Sequence, residues 1–227
     1  MTARVVTFSV QLGSGGFALA RALAERLEYR YCDSQVTSQA ATEAGVSPEV
    51  IASAERVPSL VERMFERFLA TSFYAGEIPE TGTAAAVILD SALHNMTSSD
   101  YRRLIEQVVE KLAAEGKAVI VGHASQVTLA KQPDVLKVYI HGSPEKRAQR
   151  MVAEEGSAPD EAAALIQQLD RDREGFFKRY YHIDWRDADN YDLSLNTDAL
   201  SHDAALDLLL AAAQGIGQSA PTAAPTV

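Results

Sequence analysis

The chain has 227 residues, of which 47% are apolar and 23% charged, a balance typical of a globular protein with a buried core. Its formal charge of −10 disfavours binding to nucleic acid or anionic membranes, because both need clustered lysine and arginine. The single cysteine, Cys32, excludes an internal disulfide and fits a reducing compartment. The sequence lacks a signal-peptide pattern and an apolar segment of membrane-spanning length. We therefore expect a cytoplasmic protein with neither nucleic acid nor membrane as a partner.

Five apolar segments rich in β-formers predict strands. They lack strict alternation of apolar and polar residues, which is typical of parallel strands covered by helices on both faces. The segments between them carry helix-length patterns, so we predict an α/β fold with right-handed crossovers. The predicted strands are residues 4–10, 29–33, 118–122, 135–140 and 191–196.

Two segments carry clear helix start signals. "SPEV" at 47–50 and "SPEK" at 143–146 each place serine at the N-cap, proline at N1 and glutamate in the first turn. A further helix at 57–69 has one apolar face, which the sequence leaves open as core packing, a homodimer face or a movable substrate flap. The tail at 216–227 has no apolar period and is predicted to be disordered.

The segment "SVQLGSGGFALA" at 9–20 lies between the first predicted strand and an amphipathic helix. Glycine lets the backbone approach an anion, and a helix N-terminus presents unpaired N–H groups with a partial positive charge. We therefore predict that Gly13, Ser14, Gly15 and Gly16 form a phosphate-binding nest.

The loop departs from the Walker A pattern G-x-x-x-x-G-K-[ST]. Val10 occupies the position of the first glycine in the pattern, Gly16 that of the lysine, and Phe17 that of the serine or threonine whose hydroxyl binds magnesium. Taken alone, the loop is therefore also compatible with a structural turn that binds no ligand.

The same segment also matches the dinucleotide-binding pattern G-x-G-x-x-A, with Gly13, Gly15 and Ala18 at its fixed positions. Asp33 follows the second predicted strand, where such a site places an acid for the ribose. An NAD-binding oxidoreductase is therefore an alternative function.

Arginines recur in two later segments of this acidic chain. "SPEKRAQRM" places Arg147 and Arg150 on one helix face, and "LDRDREGFFKRYY" contributes Arg171 and Arg173. Phosphoryl transfer requires positive groups around the transferring oxygens, whereas hydride transfer does not. These four arginines are the candidate catalytic residues. The alternative is that the arginines of the second segment only form ion pairs with neighbouring acidic residues on a solvent-exposed helix face.

Taken in order, the segments resemble the cytidylate kinase-like family, relatives of nucleoside monophosphate kinases. The resemblance extends from Val5 to about residue 210 and includes "GKAVIVGHASQ", "VLKVYIHGSPEKRAQRM" and "WRDADNYDLSLNTDALS" besides the loop and the second arginine segment. It implies a P-loop kinase fold with a five-stranded parallel sheet in a single domain over 1–215. A helical substrate-binding insertion would occupy about 34–97 and an arginine-bearing lid about 155–190.

The resemblance also implies an activity, the transfer of the ATP γ-phosphate to a small acceptor, by analogy a pyrimidine nucleoside monophosphate. ATP and Mg²⁺ would be the cofactors. The loop amides would hold the donor phosphates, and Asp33 would lie on the acceptor side. Arg147 and Arg150 would face the phosphates, while Arg171 and Arg173 would close over the transferring group.

Three positions depart from the family pattern. Val10 and Phe17 stand where the family usually has arginine, and Gly122-His123 replaces glycine-arginine after the third strand. No acid ends that strand, so we predict no metal site built from protein ligands alone. A catalytically impaired nucleotide-binding or regulatory module is therefore a further alternative.

Overall fold

A computed structural model of the chain describes residues 2–33, 36 and 98–216. The chain divides into two compact units, Met1–Asp33 with Val109–Val227 and Ser34–Val108. The second unit is described only at Val36 and 98–108. The predicted helix start at 47–50, the apolar face at 57–69 and the tail beyond 216 lie outside the described residues.

The first unit contains a five-stranded sheet in which every strand pairing is parallel, as predicted. The strands are β1 Val5–Val10, β2 Arg30–Cys32, β3 Ala118–Val121, β4 Val135–His141 and β5 Leu193–Asn196. Their order in the sheet is β2-β3-β1-β4-β5, so β1 is central, with Val5 aligned to Ala118 of β3 and to Val135 of β4.

The helix Pro144–Glu155 (α4) begins at a local capping signal. The side chain of Ser143 accepts a hydrogen bond from the backbone N–H of Lys146 (3.4 Å) and Pro144 is the first helical residue, which confirms the predicted start. No helix in the described ranges is both long and apolar enough to cross a membrane. The helices are α1 Gly16–Leu27, α2 Ser98–Glu115, α3 Ser125–Thr128, α4 Pro144–Glu155, α5 Pro159–Tyr181 and α6 His202–Gly215, with a 3-10 turn at Ala188–Asn190.

The two faces of the sheet bury different side chains because successive residues of a strand point to opposite sides. On one face, Val138 of β4 packs in an aliphatic cluster with Leu23 of α1 and Leu209 of α6. On the other, the neighbouring Tyr139 packs in an aromatic cluster that includes Phe177 of α5 and Trp185. The inner strands β1, β3 and β4 are thus covered on both sides, as the lack of alternation predicted, whereas the edge strands β2 and β5 are partly exposed.

The sheet order separates two segments that the dinucleotide pattern requires to be close. In dinucleotide-binding folds β2 lies beside β1, whereas here β3 lies between them. Asp33 therefore follows a strand about 10 Å from β1, since neighbouring strands are about 4.8 Å apart. The pattern at Gly13, Gly15 and Ala18 consequently has no structural support as a dinucleotide site.

Candidate functional site

The loop between β1 and α1 lies at the carboxyl end of the central strand. Gly13 and Gly15 adopt left-handed backbone conformations, with φ of 75° and 74°, and α1 begins at Gly16 with no side-chain cap. A Cβ atom on Gly13 would lie 2.6 Å from the carbonyl oxygen of Arg147, so this position requires glycine for space as well as for conformation. The uncapped first turn leaves N–H groups available to an anion.

Gly16, at the position of the Walker lysine, is constrained by its neighbours. A Cβ atom there would lie 2.6 Å from Cγ1 of Val10 and 3.0 Å from Cβ of Ile140. The side chain of Val10 therefore occupies the space that any side chain at position 16 would need. The two departures from the Walker A pattern at positions 10 and 16 are therefore coupled, because the valine at one requires glycine at the other.

Arg147 is the most deeply buried of the predicted catalytic residues, with its side chain 1% exposed. Its Nε donates to the carbonyl of Gly142 (3.1 Å) and its Nη1 to that of Leu12 (3.3 Å). Its two Nη atoms also contact both carboxylate oxygens of Asp170, at 3.3 and 2.7 Å. Every guanidinium nitrogen therefore meets a protein acceptor, and Arg147 ties the loop to α5.

Arg150 reaches the loop through the end of β5. Its Nη1 donates to the carbonyl of Gly13 (3.3 Å) and to Oγ1 of Thr197 (3.2 Å). The hydroxyl of Thr197 in turn donates to the carbonyl of Ser14 (2.9 Å). Sequence reasoning missed Thr197, although a polar residue directly after a parallel strand is a usable signal, because ligands bind at that edge.

Arg173 contacts the end of β1, where Nη1 donates to the carbonyl of Val10. Its guanidinium carbon lies 5.0 Å from the ring centre of Trp185, and that of Arg186 lies 5.4 Å from the same ring. Burial lowers the pKa of Arg173, and the nearby carboxylate of Asp170 acts in the opposite direction. Trp185 and Arg186 were not among the predicted site residues.

Arg171 lies elsewhere on α5. It is exposed, and its Nη2 donates to Oε1 of Gln168 on the same helix (2.9 Å). The structure therefore brings Arg147 and Arg150 to the loop through the carbonyls of Leu12 and Gly13, and Arg173 to the end of β1 just before it, but does not bring Arg171 there.

Asp33 lies at the carboxyl edge of β2, beside the segment that follows β3. The hydroxyl of Tyr31 donates to Oδ2 of Asp33 (3.4 Å), and the guanidinium of Arg21 lies 4.7 Å from the Tyr31 ring centre. Nε2 of His123 is 3.2 Å from the carbonyl oxygen of Asp33. Because a carbonyl only accepts, this nitrogen carries the hydrogen.

The turn that carries His123 is conformationally unusual. Gly122, His123 and Ala124 have φ of 78°, 56° and 50°, so three consecutive residues are left-handed. Such conformations cost about 1–2 kcal/mol for each residue with a Cβ and concentrate at functional sites. The strain lies at the same sheet edge as Asp33.

His141, the last residue of β4, gives the region a pH dependence. It stacks on Tyr139 with ring centres 4.9 Å apart, and burial lowers its pKa, against a smaller opposite effect of Asp198. The unfolded chain therefore binds more protons below about pH 6.5, so native stability falls as the pH drops from there towards the folded pKa.

His141→Gln should flatten this part of the dependence of unfolding free energy on pH, because the titrating group is removed. Denaturation measured from pH 7 to 5 checks this, and an identical pH dependence for both proteins would contradict the assignment.

The donor set near the loop fits a phosphate group better than a magnesium ion. The Oγ atom of Ser14 is buried without a hydrogen-bond partner among the described residues. Phe17 packs against the aliphatic core, β3 is followed by glycine and histidine, and Asp170 is already engaged by two arginines. Within the described ranges no cluster of three metal-ligating side chains occurs, so we derive no step through magnesium.

The comparisons with known proteins agree with this architecture. The chain is 30% identical over 116 residues to the cytidylate kinase of Methanopyrus kandleri, a match that spans 48% of this chain and 60% of that protein. An uncharacterized protein from Eubacterium ventriosum ATCC 27560 has a TM-score of 0.62 at 16% identity, with 91% of this chain and 96% of that chain covered. A gluconokinase from Sinorhizobium meliloti 1021 has a TM-score of 0.51 at 15% identity, with 93% and 92% covered.

The fold is therefore the α/β fold of P-loop kinases, as predicted. A family model described as "Cytidylate kinase-like family" matches residues 5–199. The chain belongs to the cytidylate kinase-like family.

Proposed function

We propose that the protein is a phosphotransferase of the nucleotide kinase type, which transfers the γ-phosphate of ATP to a small acceptor such as a pyrimidine nucleoside monophosphate. The observation that carries this proposal is the loop itself. Two left-handed glycines lead into the uncapped N-terminus of α1 at the carboxyl end of the central strand. Membership of the cytidylate kinase-like family supports the choice of reaction.

In this proposal the amides of Gly13, Gly15 and Gly16 bind the donor phosphates, while the Ser14 N–H donates to the carbonyl of Gln11 (3.1 Å) and holds the turn. Arg173, fixed between the Val10 carbonyl and the Trp185 ring, supplies positive charge beside the transferring group. Asp33 and His123 bind the acceptor at the carboxyl ends of β2 and β3, on the same edge of the sheet as the loop. Arg147 and Arg150 hold the loop in this proposal, because they donate to the carbonyls of Leu12 and Gly13 within it, whereas Arg173 donates to Val10 at the end of β1.

The direct test is incubation of the purified protein with Mg-ATP and a panel of nucleosides and nucleoside monophosphates. Transfer of radiolabelled γ-phosphate to one acceptor class is expected. An absence of both ATP binding and transfer across the panel would reject the proposal.

Arg173→Ala should lower kcat/KM by about 100- to 1000-fold, since removal of one group that stabilises transition-state charge has this typical cost. Arg171→Ala is the matched control, because Arg171 lies on the same helix, is exposed and donates to Gln168 rather than to the loop. Steady-state kinetics on both folded variants check the prediction. Equal losses in the two variants would argue against a role for Arg173 beside the phosphates.

A second candidate is a nucleotide-binding module without catalysis. The observation that favours it is the side chain of Val10, which fills the space that a lysine at position 16 would need. Calorimetry separates the two functions. Tight ATP binding that is the same with Mg²⁺ or with EDTA, and that is accompanied by no turnover, would favour the module.

A further inference from the structure

We infer that Thr197 is a positioning residue of the phosphate site, whose hydroxyl orients the peptide between Ser14 and Gly15. This inference rests on the proposed function, since it assumes that the loop binds phosphate. Thr197 follows β5 directly and is 6% exposed.

The hydrogen bonds of Thr197 have a defined direction. Arg150 has only donors, so Oγ1 of Thr197 accepts from its Nη1 at 3.2 Å. The single hydroxyl hydrogen is then directed to the carbonyl of Ser14, 2.9 Å away, rather than to that of His141 at 3.2 Å. The His141 carbonyl already accepts from the backbone N–H of Thr197 at 2.9 Å. A relay thus runs from Arg150 through Thr197 to the loop.

The orientation of one carbonyl determines that of the next amide. In a trans peptide the C=O of Ser14 and the N–H of Gly15 point in opposite directions, and the described residues contain no cis peptide. Holding the Ser14 oxygen towards β5 therefore turns the Gly15 N–H away from β5. A Cβ atom on Gly15 would meet no described atom within 4 Å, so the residue borders open space.

The same logic extends to the preceding peptides. Arg147 holds the carbonyl of Leu12, and Arg150 holds that of Gly13, whose following N–H, on Ser14, donates to the carbonyl of Gln11 (3.1 Å). A loop carbonyl that rotated towards the anion would repel it with its partial negative charge. These donors therefore preorganise the nest, and the buried Oγ of Ser14, which has no hydrogen-bond partner in the part of the chain that the structure describes, lies within it.

Two substitutions at position 197 separate hydrogen bonding from packing. Thr197→Val keeps the shape and removes the hydroxyl, whereas Thr197→Ser keeps the hydroxyl and removes a methyl group. Titration calorimetry with ATP and with inorganic tripolyphosphate should show binding about tenfold weaker for the valine variant and within about twofold of wild type for the serine variant. A packing role would give the opposite order.

The outcomes distinguish this inference from the proposed function. If wild type binds both ligands and the valine variant binds them equally well, the positioning role is rejected and the proposed function stands. If wild type binds neither ligand, both fail. Should the valine variant not fold, Arg150→Lys tests the same relay, because it keeps the charge and loses the forked geometry; unchanged tripolyphosphate affinity in that variant would also reject the inference.

Discussion

Replacing Arg147 by methionine is expected to lower the free energy of unfolding by about 3–5 kcal/mol, the cost of breaking a buried ion pair from one side. The change leaves the carbonyls of Leu12 and Gly142 without this donor and removes the closer cationic partner of Asp170. Arg186, whose Nη2 lies 3.7 Å from Asp170, is too distant to restore the bidentate contact. Urea denaturation followed by circular dichroism measures the loss.

Two further variants make this prediction specific. Arg147→Met combined with Asp170→Leu should lose less stability than the sum of the single changes, because neither member of the Arg147–Asp170 pair is then left without the other. Lys178→Ala removes an exposed pair with Glu174 on the same helix and should leave the unfolding midpoint unchanged. A loss for Arg147→Met no larger than that of Lys178→Ala would show that the buried pair does not hold the loop.

Gly16→Ala is expected to destabilise the protein by about 1–3 kcal/mol, although alanine is normally the better helix former. The added Cβ would lie 2.6 Å from Val10 Cγ1 in the core beneath the loop. Gly175→Ala is the matched control, since Gly175 lies in α5 and a Cβ there would meet no described atom within 4 Å. That variant should be more stable than wild type by about 0.5–1 kcal/mol.

Val10→Ala should remove the clash with Val10, while the 3.0 Å contact to Cβ of Ile140 remains. The double variant with Gly16→Ala should therefore lose less stability than the sum of the two single losses. Strict additivity would show that the two positions are not coupled.

The same coupling predicts that Gly16→Lys alone gains no affinity for ATP. Any gain should appear only when the lysine is introduced together with Val10→Ala, which removes the nearer of the two contacts. Calorimetry with ATP compares the two lysine variants.

The arginines of the site have two different relationships to the loop. Arg147 and Arg150 donate to loop carbonyls and to neighbouring polar groups, so in the proposed function their charge serves to hold the loop. Arg173 lies at the end of β1 and stacks on Trp185, where it retains a fixed orientation. A catalytic role on phosphate is therefore best tested at Arg173, and a preorganising role at Thr197.

The sequence by itself determined the features that depend on local patterns. Strand positions followed from apolar segments, and the start of α4 followed from Ser143 and Pro144, because burial on both faces and helix capping act over a few residues. The glycine loop was also visible, since left-handed conformations at Gly13 and Gly15 require a residue without Cβ.

Only the tertiary structure decided which side chains reach the loop. Arg171 and Arg173 have the same local context, yet residues two apart on a helix point about 200° away from each other, so only one faces the sheet. Thr197 contacts Ser14 because β5 lies beside β4, so that the carboxyl end of β5 is close to the loop that follows β1. This strand order is set by long-range packing. A local pattern specifies an element, but the contacts between elements depend on how the whole sheet is assembled.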